Sequence, residues 1–198
     1  GGINHTSGNQ EGFQVSMLQN RVAGDFDGYQ LAGVYNVIYG DIKGFQTAGL
    51  INHAQNGVKG AQLAGGINIA PDTSTAQIAG AANLTTYNQL LQLSGFLNLA
   101  QSQSKGIQVG PVNITKHLLG MQLAGLINRA EYNELGLQVG IINANQSNLG
   151  RQIGLINITD TLHANGRQIG LISLAKHGGI VNFDFSSTEL LWANAALI

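Results

Sequence analysis

Followed for its apolar and polar positions, the chain repeats one short unit: glycine, a variable residue, glutamine, an aliphatic residue, alanine-glycine, two further apolar residues and asparagine. "GYQLAGVYN" begins at Gly28, "GAQLAGGIN" at Gly60, "GMQLAGLIN" at Gly120 and, one residue shorter, "GLQVGIIN" at Gly136. The glutamines fall at Gln14, Gln30, Gln46, Gln62, Gln77, Gln92, Gln108, Gln122, Gln138, Gln152 and Gln168, with spacings of 14–16 residues. They are followed by Asn20, Asn36, Asn52, Asn68, Asn83, Asn98, Asn113, Asn128, Asn143 and Asn157, and by Ser173 in the last copy. Glycine precedes the glutamine by two residues in nine of eleven copies, and an aliphatic residue follows it in ten. Three positions held in phase over this length mark a repeat architecture.

The period is too short for paired-helix repeats, which need roughly 33–47 residues. Glycine in every copy also opposes a helix interior, where it costs about 1 kcal/mol relative to alanine. Leu, Ile and Val flanked by Gly and Asn are strand-and-turn chemistry. The expected fold is therefore all-β: a single-stranded parallel β-solenoid of about 11 coils with 14–16 residues in each. Residues 1–178 form the repeat domain and begin inside a coil, because Asn4 is in phase but its own glutamine is missing. The chain thus reads as a fragment or a processed form. Residues 179–198 leave the repeat and read as a C-terminal cap or the entrance to a following β-barrel. Val181, Phe183 and Phe185 alternate, Ser186 and Glu189 resemble a helix capping box, and Trp192 is expected to fill the cap.

The variation in coil length locates a corner. Copies read Gln-Leu-Ala-Gly-Leu-Ile-Asn at 122–128 but Gln-Val-Gly-Ile-Ile-Asn at 138–143. A residue lost from mid-strand would turn every later side chain to the other face, so the Ala-Gly step is expected to be a bend. Leu123, Ile127, Val139 and Ile142 are then expected to line the interior. Which way the glutamine row faces is left open; strict alternation from an inward aliphatic would place it outside. A second corner is expected after the asparagine, where Ala54, Ala70, Thr85, Ala100, Thr115, Ala130 and Thr159 keep a small side chain. The irregular stretches that follow, such as "QNGVK" and "EYNEL", carry most of the charge and read as exposed turns.

Stacked coils lie about 4.8 Å apart, so identical amides can donate to one neighbour and accept from the other. A buried amide without partners costs roughly 1–3 kcal/mol. An asparagine in this position therefore needs asparagines beside it, whereas Leu, Ile and Val interchange freely. The Gln and Asn columns are accordingly assigned a structural ladder role. Eleven coils at that rise make a rod about 50 Å long.

The Gly-x-Gln-Φ-(Ala)-Gly-Φ-Φ-Asn unit resembles the surface repeat of bacterial outer-membrane-associated proteins and lipoproteins, over about residues 12–175. That resemblance implies an exported or cell-surface protein, extracellular or outer-membrane-associated, with repeats leading into a C-terminal barrel. A looser similarity, in the Gln and Asn ladders, is to curli-type amyloid subunits, whose period is longer.

Composition narrows the partners. Charged residues make up 10% of the chain against about 25% in typical domains, and the net charge is -1. No basic stripe is present to neutralise phosphates, so no nucleic-acid partner is expected. The 43% of hydrophobic residues is too many for a disordered linker. Without cysteine the chain has no disulfide and no thiolate chemistry, and it has no run of 18 apolar residues. A membrane is expected to be met only through a part outside this chain.

Candidate chemistry is sparse. Glycoside cleavage needs two carboxylates about 5–10 Å apart. Asp25, Asp27 and Asp41 occupy the turns before successive coils, and Glu131 and Glu134 share one turn. Solvated turn residues account for them all. Of His5, His53, His117, His163 and His177, His5 and His53 are separated by intervening coils, and His117 and His163 lie three coils apart, too far in either case to share a metal. No His-x-x-x-His, Gly-x-Ser-x-Gly or phosphate loop occurs. A threonine rank of the kind used against ice is broken, with Thr85, Thr115 and Thr159 separated by alanines. Arg151 and Arg167 are the local basic pair. No catalytic residue, metal or cofactor is expected. The expected function is a non-enzymatic structural spacer or adhesive surface, with a self-assembling fibre subunit as first alternative and a carbohydrate-binding or carbohydrate-cleaving solenoid as second. The expected partners are a second copy, end to end or side by side, or surface glycans.

Overall fold

The computed structural model describes residues 1–178. The readings of Val181 to Trp192 as a cap or barrel entrance lie outside them. The chain winds as a β-solenoid of about 11 turns, and all of its strand pairings are parallel. Gln30 pairs in register with Gln46 and Gln46 with Gln62, while Asn36 lies against Asn52 and Asn52 against Asn68. The repeat phase in the sequence is thus the stacking register of the fold.

In the first coils each turn holds two separate strands, such as Phe26–Ala32 and Tyr35–Ile38, then Ile42–Ala48 and Ile51–Ala54. From Ile67–Ala79 onward most of them fuse into strands of 12–13 residues, such as Met121–Asn133 and Leu137–Asn148, which bend at the corners without losing their ladder bonds. The first corner lies at the Ala-Gly step, where register slips between Gly110 and Val112 and between Leu123 and Ile127. Length variation is absorbed there. The second follows the small residue after asparagine, with slips between Thr85 and Tyr87 and between Ala100 and Gln103.

In the N-terminal coils, glycine two residues before the glutamine is a stacking requirement. Gly60 has φ +146, and a Cβ on it would sit on the carbonyl oxygen of Gly44 in the coil below. A side chain there would need both an unfavourable backbone conformation and a wider gap between coils.

The faces are the reverse of the sequence expectation. Every ladder glutamine from Gln30 to Gln152 is at most 1% exposed, as is every ladder asparagine from Asn20 to Asn157. Leu123, Ile127, Val139 and Ile142, expected to line the interior, point outward and are half-buried to exposed; Ile127 is 38% exposed. The aliphatic after each glutamine likewise faces out, as at Leu63, Leu93 and Ile153. Alternation was the correct rule, but its starting face was wrong: inward glutamine sets its neighbours outward. The remaining interior rows are small, Ala32, Ala48 and Ala64 at the Ala-Gly corner and Ala54, Ala70 and Ala100 after the asparagine. A conventional apolar cluster occurs only toward the N-terminal end among the described residues, built from Val22, Phe26, Ile38, Ile42, Ala54, Val58 and Ala70. Beyond it the same inner row turns polar through Ser74, Asn88, Ser104, Asn133 and Asn148, interrupted by Leu118.

Candidate functional site: amide columns inside, apolar rows outside

The asparagine column is continuous from Asn4 to Ser173. Each Nδ2 donates to Oδ1 of the next coil, as in Asn68 to Asn83 at 2.9 Å and Asn98 to Asn113 at 2.8 Å. The last link runs from Asn157 Nδ2 to Ser173 Oγ at 3.4 Å. The second amide proton goes to the backbone of the same next coil: Asn83 to Leu93 O at 2.7 Å, and Asn98 to Val109 O at 2.8 Å. The glutamine column runs the other way. Gln46 Nε2 donates back to Gln30 Oε1 at 3.0 Å and Gln108 Nε2 back to Gln92 Oε1 at 2.7 Å. The two columns therefore carry opposed amide dipoles along one rod, and their fields oppose each other. At the N-terminal end Gln14 Nε2 finds Thr6 Oγ1 at 3.3 Å.

In the shorter coils glycine replaces alanine at the first corner because the asparagine column presses on it. A Cβ on Gly140 would lie 2.9 Å from Asn128 Nδ2. With the amides enclosed, the glutamine row is not available to a second copy or to sugar hydroxyls.

The acids that stood out in the sequence serve the backbone. Asp25 Oδ1 accepts the Asp41 N–H at 2.8 Å, and Asp41 Oδ1 accepts the Gly57 N–H at 3.1 Å, continuing a column begun by Asn9 on Asp25 N–H. Asp27 is the register neighbour of Lys43 in the next coil. Glu134 takes His117 Nδ1 at 2.7 Å, and His117 stacks on Tyr132 at 4.9 Å between ring centroids. Glu131 and Glu134 therefore do not converge as a pair on a substrate cleft. Ser147 Oγ lies 2.9 Å from His163 Nε2. Among the described residues no acid meets the other ring nitrogen, so this pair lacks the orienting group a nucleophilic triad needs. No group of three His, Asp or Glu side chains is placed to hold a metal among the described residues. Arg151 and Arg167 are register neighbours, and Asp160 pairs with Lys176 at 2.6 Å. Thr85, Thr115 and Thr159 face inward, each at most 3% exposed, with hydroxyls on nearby carbonyls, so they form no surface rank.

Tyr35 and His53 meet outside, the hydroxyl 3.4 Å from Nδ1. Burial holds the imidazole below the ordinary histidine range, and burial with the neighbouring Tyr39 pushes the Tyr35 hydroxyl up.

The feature missed in the sequence is the outer surface. Between each ladder glutamine and the asparagine or serine that closes its motif there is no Asp, Glu, Lys or Arg in any of the eleven copies. That stretch covers the first corner and parts of the two faces beside it. Leu50, Phe96, Leu126, Leu155 and Leu171 project from the corner at 51–62% exposed. Toward the C-terminal end, Val139, Ile141, Ile153, Leu155, Ile169 and Leu171 line a shallow apolar groove of about 480 Å³. The uncharged gap was visible in the sequence, but it reads equally well as core until the direction of the side chains is known. Comparison with protein-family models, with curated proteins and with solved structures finds no match.

Proposed function

We propose that this chain is a non-enzymatic structural repeat protein of the bacterial cell exterior, extracellular or outer-membrane-associated, whose outward apolar rows are an adhesive contact surface. One observation carries the reading: the aliphatic side chains of the charge-free segment face outward, while its glutamine and asparagine amides point inward. Exposed contiguous apolar surface of this extent marks a contact site, and of the candidate carboxylates Asp25 accepts a backbone N–H of the next coil while Glu134 contacts His117. The surface-repeat resemblance supports the location.

The test is retention on an octyl-coated sensor. The double variant Leu93→Lys with Ile153→Lys is expected to lower retention at least ten-fold while circular dichroism keeps the strand signal. Unchanged retention with intact fold would overturn the reading. A second reading, a self-assembling fibre, is favoured by the continuous amide columns. In electron microscopy over rising concentration it calls for filaments of unlimited length, whereas the contact-surface reading calls for discrete rods.

A further inference from the structure

We propose that the partner of this contact surface is the acyl region of a lipid bilayer, with the first corner pressed into it and the rod axis lying in the membrane plane. This rests on the reading of the outer rows as a contact surface, names what they contact, and replaces the expectation that a membrane is met only through a part outside this chain.

The shape of the surface favours lipid over a second copy. The apolar stretch spans about 20 Å of strand around the corner and runs the rod's length of about 50 Å, giving on the order of 1,000 Å². Apart from the shallow groove toward the C-terminal end, it lies on two faces that meet at the corner, so one flat partner meets about half of it. That is about 500 Å², short of the roughly 800 Å² per partner of a stable interface. A fluid medium covers both faces and the edge at once.

Charge is arranged in the same sense. Lys43, Lys59, Lys105, Lys116, Glu131 and Glu134 all fall in the segment between one asparagine and the next glutamine, away from the corner. Both signs occur there, so no preference for anionic lipid is built in. The backbone also suits lipid. Corner N–H groups that would otherwise face outward donate along the rod, Val34 to Leu18 O and Leu50 to Val34 O, both at 3.1 Å. Hydrocarbon excludes unpaired backbone groups, and here the lateral surface presents a satisfied ladder. The arrangement is that of an interfacial amphipathic element, built from stacked strands in place of a helix.

The chain contains no cysteine, so single labels can be placed at will. An environment-sensitive nitrobenzoxadiazole label on Leu155→Cys, at the corner, is compared with one on Leu135→Cys, which is 80% exposed but lies among the charged turns. With phosphatidylcholine vesicles the corner label is expected to shift to the blue and brighten at least three-fold, and the turn label to stay unchanged. Flotation of the full chain with the same vesicles should fall at least ten-fold for Leu93→Lys with Ile153→Lys, and should not depend on salt. If the corner label stays silent while octyl retention persists, the lipid partner is overturned and the contact surface stands. If it responds to protein concentration without vesicles, a second copy is the occupant and the proposal falls. A label already shielded in dilute protein without vesicles would mean that the chain covers its own corner, and the lipid partner falls in that case too. Silence with no octyl retention overturns both readings.

Discussion

A ladder asparagine such as Asn98 has three amide partners outside its own coil: Asn83 as donor, and Asn113 and the Val109 carbonyl as acceptors. Asn98→Leu would leave all three in a buried setting without a replacement, and each orphaned group costs about 1–3 kcal/mol. The expected loss is therefore about 3 kcal/mol or more, read from the midpoint of urea unfolding. Leu93→Ala, one position from the glutamine column but facing out, is expected to cost less than about 1 kcal/mol, as surface substitutions do. The inverse ranking would mean that the faces are assigned wrongly. His53 gives a pH signature at the same scale. Its folded-state pKa lies below the ordinary value because burial disfavours the imidazolium. The unfolded chain thus takes up the proton first, so this contribution to stability is present above about pH 6.5 and is lost as pH falls through the folded value. His53→Ile should flatten the acid side of a stability-against-pH curve measured by urea midpoints.

At the scale of the coil, two constraints act together: the gap between layers and the freedom of the corner. Gly60→Val is expected to destabilise by about 3 kcal/mol or more, because it combines a strained backbone with a clash against Gly44. Gly8→Val, with nothing near its Cβ, should be close to neutral. The corner is permissive by contrast. Inserting alanine between Val139 and Gly140 recreates the longer Gln-Φ-Ala-Gly form and leaves both columns in register, so its melting temperature should stay within a few degrees of the parent. The role of Asp25 and Asp41 as receptors for the next coil's N–H also belongs to this scale. It was hidden in the sequence because the acceptor and donor are 16 residues apart and meet only after stacking.

Across the whole molecule each coil touches mainly its neighbours, so stability is close to a sum of coil and interface terms. Excising residues 122–137 joins Met121 to Gln138 and brings Gln108 beneath Gln138 and Asn113 beneath Asn143. The product should fold cooperatively and be shorter by about 4.8 Å, checked by small-angle scattering and thermal melting. Excising 122–129 removes half a coil and the Asn128 link, and should abolish that behaviour. At this scale the molecule also departs from the usual apolar-in, polar-out arrangement, because amides occupy most of the interior and aliphatic side chains much of the exterior.

The sequence by itself determined the period, the parallel stacking and the two columns, because identical amides recur only where each has to meet its own kind. It also marked the corner, since a residue can be gained or lost only where the chain turns. What the tertiary structure decided was direction. Alternation states which residues share a face and is silent on which face closes inward, and the usual preference for buried leucine pointed the wrong way. The asparagine's second amide proton binds a carbonyl of the next coil, such as Leu93 O for Asn83. That acceptor is within reach only once the coil has closed and stacked. With both protons and the oxygen satisfied, the amide can be buried without the cost that makes polar interiors rare, and the aliphatic residues are left facing out.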